Sequence, residues 1–253
     1  MHPRRSLSQF ALTVLLTTPL CLQKGYANAT SLITIANSPL TVVAQAQTRE
    51  NRKAEADRLL QQGFQEYQTS QYEAALQSWE QALTLYRAIP DRKGEANVLN
   101  NLGIAYLSLS QYEKAIAYYE QARPIFQQVK DRNSEAGVLM NLGLAYRSLS
   151  QYEKAIAYYE RALPIFQQVK DRAGEGKLFS NLGILFARRN DPELAIVFYK
   201  QSVSVRETIR QDLRKLPRES QEAYTQSVAG TYRSLADLLI AQGRIGEAQQ
   251  VLE

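Results

Sequence analysis

Cysteine and histidine are almost missing from this chain: Cys21 and His2 are the only examples. Beyond Cys21, therefore, no disulfide framework, histidine–cysteine metal site or cysteine nucleophile can be assembled. Long apolar runs are also scarce. The longest, Phe10 to Leu22, falls short of the ~20 residues of a membrane span, so no stable span is expected in the mature chain. A charge excess is missing too. The formal charge is +5, but Arg4, Arg5 and Lys24 precede residue 30 and no acid does, which leaves 27 basic against 25 acidic side chains, or +2. The pI of about 9.2 is thus weak evidence for nucleic acid, and no nucleic-acid partner is expected. Runs of strictly alternating residues are absent as well, which removes the usual signature of strands.

What is present begins with a three-part amino terminus. Arg4 and Arg5 precede the apolar run, and Ala27-Asn28-Ala29 supplies a small-x-small site, so residues 1–29 read as a secretory signal and the protein as exported, periplasmic or extracellular. A second site, Ala44-Gln45-Ala46, follows the mildly apolar stretch Leu32 to Val43 and would move cleavage as late as residue 46. The competing reading is an amphipathic or disordered tail. Pro3 and Gln9 fit a twin-arginine signal poorly, and Leu20 is bulky for a lipoprotein site at Cys21. Residues 30–52 read as a flexible linker.

The rest is organised by repetition. The passage from Asn101 to Arg132 returns from Asn141 to Arg172 with four differences, at an offset of forty residues. The phase extends both ways, through Gly63, Gly103, Gly143 and Gly183, through Ala75, Ala115, Ala155 and Ala195, and through Trp79, Tyr119, Tyr159 and Tyr199. Apolar spacing inside each unit is helical, as in Leu99, Leu102, Ala105 and Tyr106. Two helices fit between successive glycines, and the small residues lie where the helices of a hairpin must cross closely. Units that cannot bury their apolar faces alone must stack.

Leucine-glycine, aromatic, alanine, aromatic, alanine at these spacings (Leu102, Gly103, Tyr106, Ala115, Tyr119, Ala122, and again Leu142, Gly143, Tyr146, Ala155, Tyr159, Ala162) resembles the tetratricopeptide repeat, in its longer forty-residue form. The resemblance implies an all-α, right-handed α-solenoid of stacked antiparallel helix hairpins, with units at about 53–90, 91–130, 131–170 and 171–216 and a partial unit at 218–253. About thirteen extra residues enter around Gln211 to Gln221, with Pro217 dividing two helices. The phrase from Arg206 to Glu253 resembles the passage joining such repeats to a carboxy-terminal CHAT domain in bacterial, especially cyanobacterial, proteins. The histidine–cysteine pair of that domain has no counterpart here, and the sequence reaches Glu253 part-way through a second helix.

Several residues invite a chemical role. Asp91, Asp131 and Asp171, each followed four residues later by Glu95, Glu135 or Glu175, recur in every connection and read as helix caps rather than catalytic pairs. Pro124 and Pro164 should bend the second helices without ending them. Trp79 occupies a core slot. No catalytic residue, metal site or cofactor is expected.

The wall formed by the first helices is the expected binding face. The resemblance implies that Asn101, Asn141 and Asn181, just before each Leu-Gly, bond the backbone of an extended peptide. The alternative is that they tie neighbouring helices together. Groove-facing steps bring Asn100, Ile104 and Leu107, then Met140, Leu144 and Arg147, then Lys177, Ser180, Ile184 and Arg188. The change from Leu107 to Arg147 suggests an exposed position, and the basic end suits a peptide with an acidic or carboxyl-terminal end. A solvated basic fringe is the competing reading. The expected function is a scaffold that holds a peptide or partner protein. Its rivals are the non-catalytic half of a split CHAT protease, with a CHAT-domain protein as partner, and a self-assembling array.

Overall fold

The computed structural model describes residues 39–252. The segment read as a signal, 1–29, lies outside them. Ten helices follow one another with no strand among the described residues: α1 (Pro39–Gln68), α2 (Tyr72–Arg87), α3 (Arg92–Ser108), α4 (Tyr112–Gln128), α5 (Arg132–Ser148), α6 (Tyr152–Val169), α7 (Arg172–Arg188), α8 (Pro192–Leu213), α9 (Arg218–Ala241) and α10 (Ile245–Leu252). Of the stretch read as a linker, residues 39–52 are helical and belong to α1. Residues from Lys53 onward form one compact unit, which holds the hairpin stack.

Local rules set the helix ends. Asp91, Asp131, Asp171 and Asp191 each accept a hydrogen bond from a backbone amide three residues on, at Gly94, Ser134, Gly174 and Leu194. One free donor at each start is thereby satisfied. Within the hairpins the chain reverses through Ser70, Ser110, Ser150 and Asn190, all in the left-handed region with φ of 58 to 61°. The amide after each reversal then reaches back to a carbonyl five residues earlier, as Gln111 N does to Tyr106 O at 2.8 Å. Pro124 and Pro164 sit inside α4 and α6, which continue past them. Pro217 precedes α9, dividing it from α8 as the sequence indicates.

Packing follows from the glycines. A Cβ at Gly103 would come within 3.0 Å of the Tyr119 ring, one at Gly143 within the same distance of Tyr159, and Gly63 and Gly183 receive Trp79 and Tyr199 likewise. Each first helix thus offers a bare patch of backbone, and the second helix of its own unit lays an aromatic ring on it. Trp79, Tyr119 and Tyr159 are fully buried as a result, with Ala75, Ala115, Ala155 and Ala195 beneath the same crossings. Burial of one such side chain contributes on the order of 2–3 kcal/mol, repeated down the stack.

A polar device joins one hairpin to the next. Glu95, Glu135 and Glu175 are buried and pair with Arg92, Arg132 and Arg172. Each also takes a bond from the preceding second helix, from Arg87 at 3.1 Å, Gln127 at 2.7 Å and Gln167 at 3.2 Å. These carboxylates are structural, and their recurrence has that reason. The first hairpin departs from the pattern elsewhere. Where later units stack Tyr106 on Tyr118 and Tyr146 on Tyr158 at 5.3 Å, it places Glu66, which accepts from Ser78 at 2.7 Å.

Candidate functional site

First helices of successive hairpins touch one another, α3 with α5 and α5 with α7, with no second-helix pairing of comparable extent. A stack whose first helices are the closer row curves with them on the inside. The inner wall therefore consists of α1, α3, α5, α7 and α9, of which the first four place side chains of equal phase side by side every forty residues.

That phase produces an apolar row, Phe64, Ile104, Leu144 and Ile184, of which Phe64 is 47% exposed and the other three half-buried. Phe64 is absent from the residues singled out by sequence. One step of forty back from Ile104 would have found it. Met140 and Asn100 flank the row, both half-buried, and Lys177 and Arg188 stand exposed at its far end. On α9 the thirteen extra residues move the phase to fifty-three, so the position that follows Ile184 is Asp237, which is exposed.

The three asparagines are not equivalent. Asn141 donates from Nδ2 to Asn100 Oδ1 at 3.2 Å, and Asn181 accepts from Arg147 at 3.3 Å. Both are thus partly used in tying adjacent first helices, the competing role that carboxamides at this step invite. The Asn101 side chain makes no hydrogen bond among the described residues, so its amide donors and acceptor are all available, as are Asn100 Nδ2 and Asn141 Oδ1.

Arg147 requires a correction. The sequence reading makes this position exposed because it varies between near-identical units. In the structure its side chain turns inward between α5 and α7 and only 9% of the residue remains exposed. Nη1 reaches Asn181, its carbonyl at 3.5 Å and its side chain at 3.3 Å, whereas Nε has no partner. Tyr152, Tyr159 and Tyr199 lie around the guanidinium, and Arg188 adds a like charge. Burial holds its pKa below the usual arginine value. The adjacent Tyr159 phenol, also without a partner, is pushed up to about 12 by the same burial.

Tyr118 and Tyr158 stack against the inner tyrosines, and Tyr158 donates to Glu120 at 2.6 Å. A separate cleft of about 520 Å³ lies between α8, α9 and α10, floored by Val203, Val228, Ala229 and Val251 and edged by Glu207 and Arg233. Leu239 on α9 is fully buried, whereas Leu252 on α10 is 64% exposed. Among the described residues no group of three histidine, cysteine, aspartate or glutamate side chains could hold a metal ion, and no helix is long and apolar enough to cross a membrane.

No curated protein matches the chain by sequence. Solved structures do resemble it. BtubC (BKLC) from P. vanneervenii superposes with a TM-score of 0.61 at 19% identity, over 80% of this chain and 87% of the other. The Rap conjugation gene regulator of plasmid pLS20, solved in complex with the Phr* peptide, gives 0.61 at 17% identity over 99% of this chain, which spans 63% of the regulator. A kinesin light chain from Podosopora anserina with nearly identical TPR-like repeats gives 0.58 at 17%, over 79% and 92%. At such identities the likeness shows the fold alone, an all-α solenoid of stacked antiparallel hairpins. The family model described as Tetratricopeptide repeat matches residues 54–128 and 134–208, more than half of the sequence. With the glycine seats, the alanine crossings and the forty-residue phase, this match places the chain in the tetratricopeptide repeat family.

Proposed function

We propose that the protein is an interaction scaffold that holds a peptide or a segment of a partner protein along the wall of its first helices. The observation that carries this is the row Phe64, Ile104, Leu144 and Ile184 beside the unbonded carboxamide of Asn101 and the free Nδ2 of Asn100. An extended chain needs that combination: apolar steps for alternate side chains and amides for its backbone. A hydrogen bond of this kind nets about 0.5–1.5 kcal/mol, so affinity comes from several units together. The Rap regulator, solved with its Phr* peptide on a related solenoid, supports the reading. Lys177 and Arg188 at one end favour a ligand whose acidic or carboxyl-terminal part lies there.

Two further proposals belong with it. The protein is exported, a reading supported by the three-part pattern of residues 1–29 and tested by sequencing the amino terminus of the mature protein from cell fractions. Recognition of a CHAT-domain protein is the second reading of the partner. It is supported by the phrase from Arg206 onward, with the cleft between α8, α9 and α10 as its docking place.

The test of the main reading is capture of partners from cell extract by wild type and by Ile104→Asp/Leu144→Asp, with circular dichroism to verify folding. Loss of the captured species in the folded variant is the expected result. Equal recovery of every species would remove the groove.

A further inference from the structure

A hairpin at the edge of a stack is expected to turn a polar face outward. The last hairpin instead borders an apolar slot, the cleft of about 520 Å³ between α8, α9 and α10, floored by Val203, Val228, Ala229 and Val251. Phase tells what occupies that place elsewhere. Ala248 follows Ala195 by fifty-three residues, so Val228 and Ala229 stand on α9 where Glu175 and Gly176 stand on α7. In the fourth hairpin this step is covered by the second half of α8. Ser202 Oγ donates to the Gly176 carbonyl at 2.7 Å, and Val205 lies 3.4 Å from where a Cβ on Gly176 would be. α8 continues to Leu213, whereas α10, described to Leu252, reaches only the phase of Tyr199, one turn before that of Ser202. The cleft is the berth of a second-helix half that α10 does not supply.

Its floor has also lost the polar device of the other junctions. Where α3, α5 and α7 bury Glu95, Glu135 and Glu175, α9 buries Val228. Glu207, at the phase of the Gln127 and Gln167 that bond two of those carboxylates, accepts instead from Tyr232 at 2.5 Å and pairs with Arg210 at 3.0 Å. These rim groups are thus satisfied within the protein, and what the floor lacks is apolar cover.

The complete hairpins fill the equivalent berth with one pattern: a small residue, an aliphatic one three positions on, and another four beyond that. The second hairpin uses Ala122, Ile125 and Val129, and the fourth Ser202, Val205 and Ile209. Ala122 and Ser202 are fully buried at the crossing, Ile125 and Val205 are buried behind them, and Val129 lies at the edge, 36% exposed. A folded second copy has no such helix to lend, because these segments are packed into their own hairpins.

We propose that the cleft seats an amphipathic helix of another polypeptide, about two to three turns long, whose buried face carries that small, aliphatic, aliphatic spacing and completes the last hairpin as the second half of α8 completes the fourth. The proposal is independent of the groove reading and shares with the CHAT reading only the docking place.

The experiment uses the full chain and a fluorescent peptide, acetyl-Glu-Gln-Ala-Glu-Arg-Ile-Glu-Gln-Lys-Val-Arg-Gln-amide, stapled on the face opposite the pattern because so short a helix is marginal alone. Saturable binding is expected by fluorescence anisotropy. It should weaken about tenfold or more when serine replaces both aliphatic residues of the peptide, and equally in Ala229→Glu on the cleft floor and Thr225→Arg on its exposed rim, each verified as folded by circular dichroism. Leu144→Asp, on the inner wall, should bind as wild type does. Absence of saturable binding, equal binding of the serine peptide, or binding unchanged in both cleft variants overturns the proposal. Loss in Leu144→Asp with the cleft variants unaffected would place the peptide in the groove, removing the cleft and leaving the groove reading intact. The chain alone should sediment as a monomer; a dimer that Thr225→Arg dissociates would give the cleft to a second copy and overturn its assignment to another polypeptide.

Discussion

The hairpins α3–α4 and α5–α6 come close to a controlled experiment within one molecule. Every residue that shapes the crossing is the same in both: glycine under tyrosine, alanine beneath, aspartate at the cap, glutamate in the junction. The four differences fall elsewhere. Ile104 and Leu144 face the groove, and Leu107 gives way to Arg147. Gln121 bonds the Ala117 carbonyl at 3.1 Å where Arg161 stacks over Tyr158 at 5.3 Å. Arg123 pairs with Glu120 where Leu163 joins the core. Two of four changes thus lie on the first helices and none in the crossing, so the scaffold is copied while the row along the inner wall is varied.

That division is most open to attack at the crossing. Tyr119→Ala and Tyr159→Ala should each cost about 3–5 kcal/mol, read as a lower urea midpoint, and the two losses should be alike. Gly103→Val or Gly143→Val should cost about 3 kcal/mol by driving a branched side chain into the ring, and should become nearly neutral once the facing tyrosine is alanine. If the glycine penalty survives removal of the ring, the nesting account is wrong. Phenylalanine at 119 or 159 should be neutral or stabilising, because each hydroxyl is buried without a partner.

Arg147→Leu makes the two units more alike and should raise stability by about 1–2 kcal/mol, since it replaces an unpaired buried charge with the side chain the previous unit already uses. Thermal unfolding of the unliganded chain reads this out. A lower midpoint would mean that the bonds to Asn181 outweigh desolvation.

The glycines, tyrosines and capping aspartates were readable in the primary structure because each answers a local or steric rule that holds in every copy. Arg147 was not. Periodicity assigns a face to a residue but no depth, and here depth comes from α7, whose Asn181 draws the guanidinium inward. Which asparagines tie neighbouring helices has the same cause, since Asn100 and Asn141 find each other only once α3 and α5 are side by side. Residues 39–52 show a different limit: a stretch outside the forty-residue packing pattern reads as linker, yet α1 runs through it.

A smaller effect tests whether the caps are as interchangeable as the crossings. Asp131 accepts from Ser134 N at 3.1 Å and pairs with Lys93 of the preceding hairpin at 2.7 Å, whereas Asp171 caps α7 without such a lysine, its counterpart being Asn133. Asp171→Ala should cost about 1 kcal/mol and Asp131→Ala somewhat more. The Lys93 bond, then the Ser134 amide, hold the Asp131 carboxyl below its ordinary value. A depressed folded-state pKa stabilises above the unfolded value of about 3.9, and this contribution fades as pH falls through the lower folded value. Between about pH 5 and 3, then, Asp131→Ala should lose less stability than wild type. Parallel profiles would remove the Lys93 link.

The weakest expected effect lies at the reversals. Ser110 and Ser150 both hold φ of 58°, a region that costs an L-residue about 1–2 kcal/mol. Glycine escapes that strain but gives up about 0.5–1 kcal/mol of chain entropy. Ser110→Gly and Ser150→Gly should therefore each gain about 0.5 kcal/mol, measurable as equal rises in urea midpoint at unchanged slope. Asn190→Gly should gain less, because asparagine already tolerates the conformation. Unequal gains at 110 and 150 would show that the difference between Leu107 and Arg147, three residues before each turn, reaches the backbone itself, and the two hairpins would no longer count as one scaffold carrying two linings.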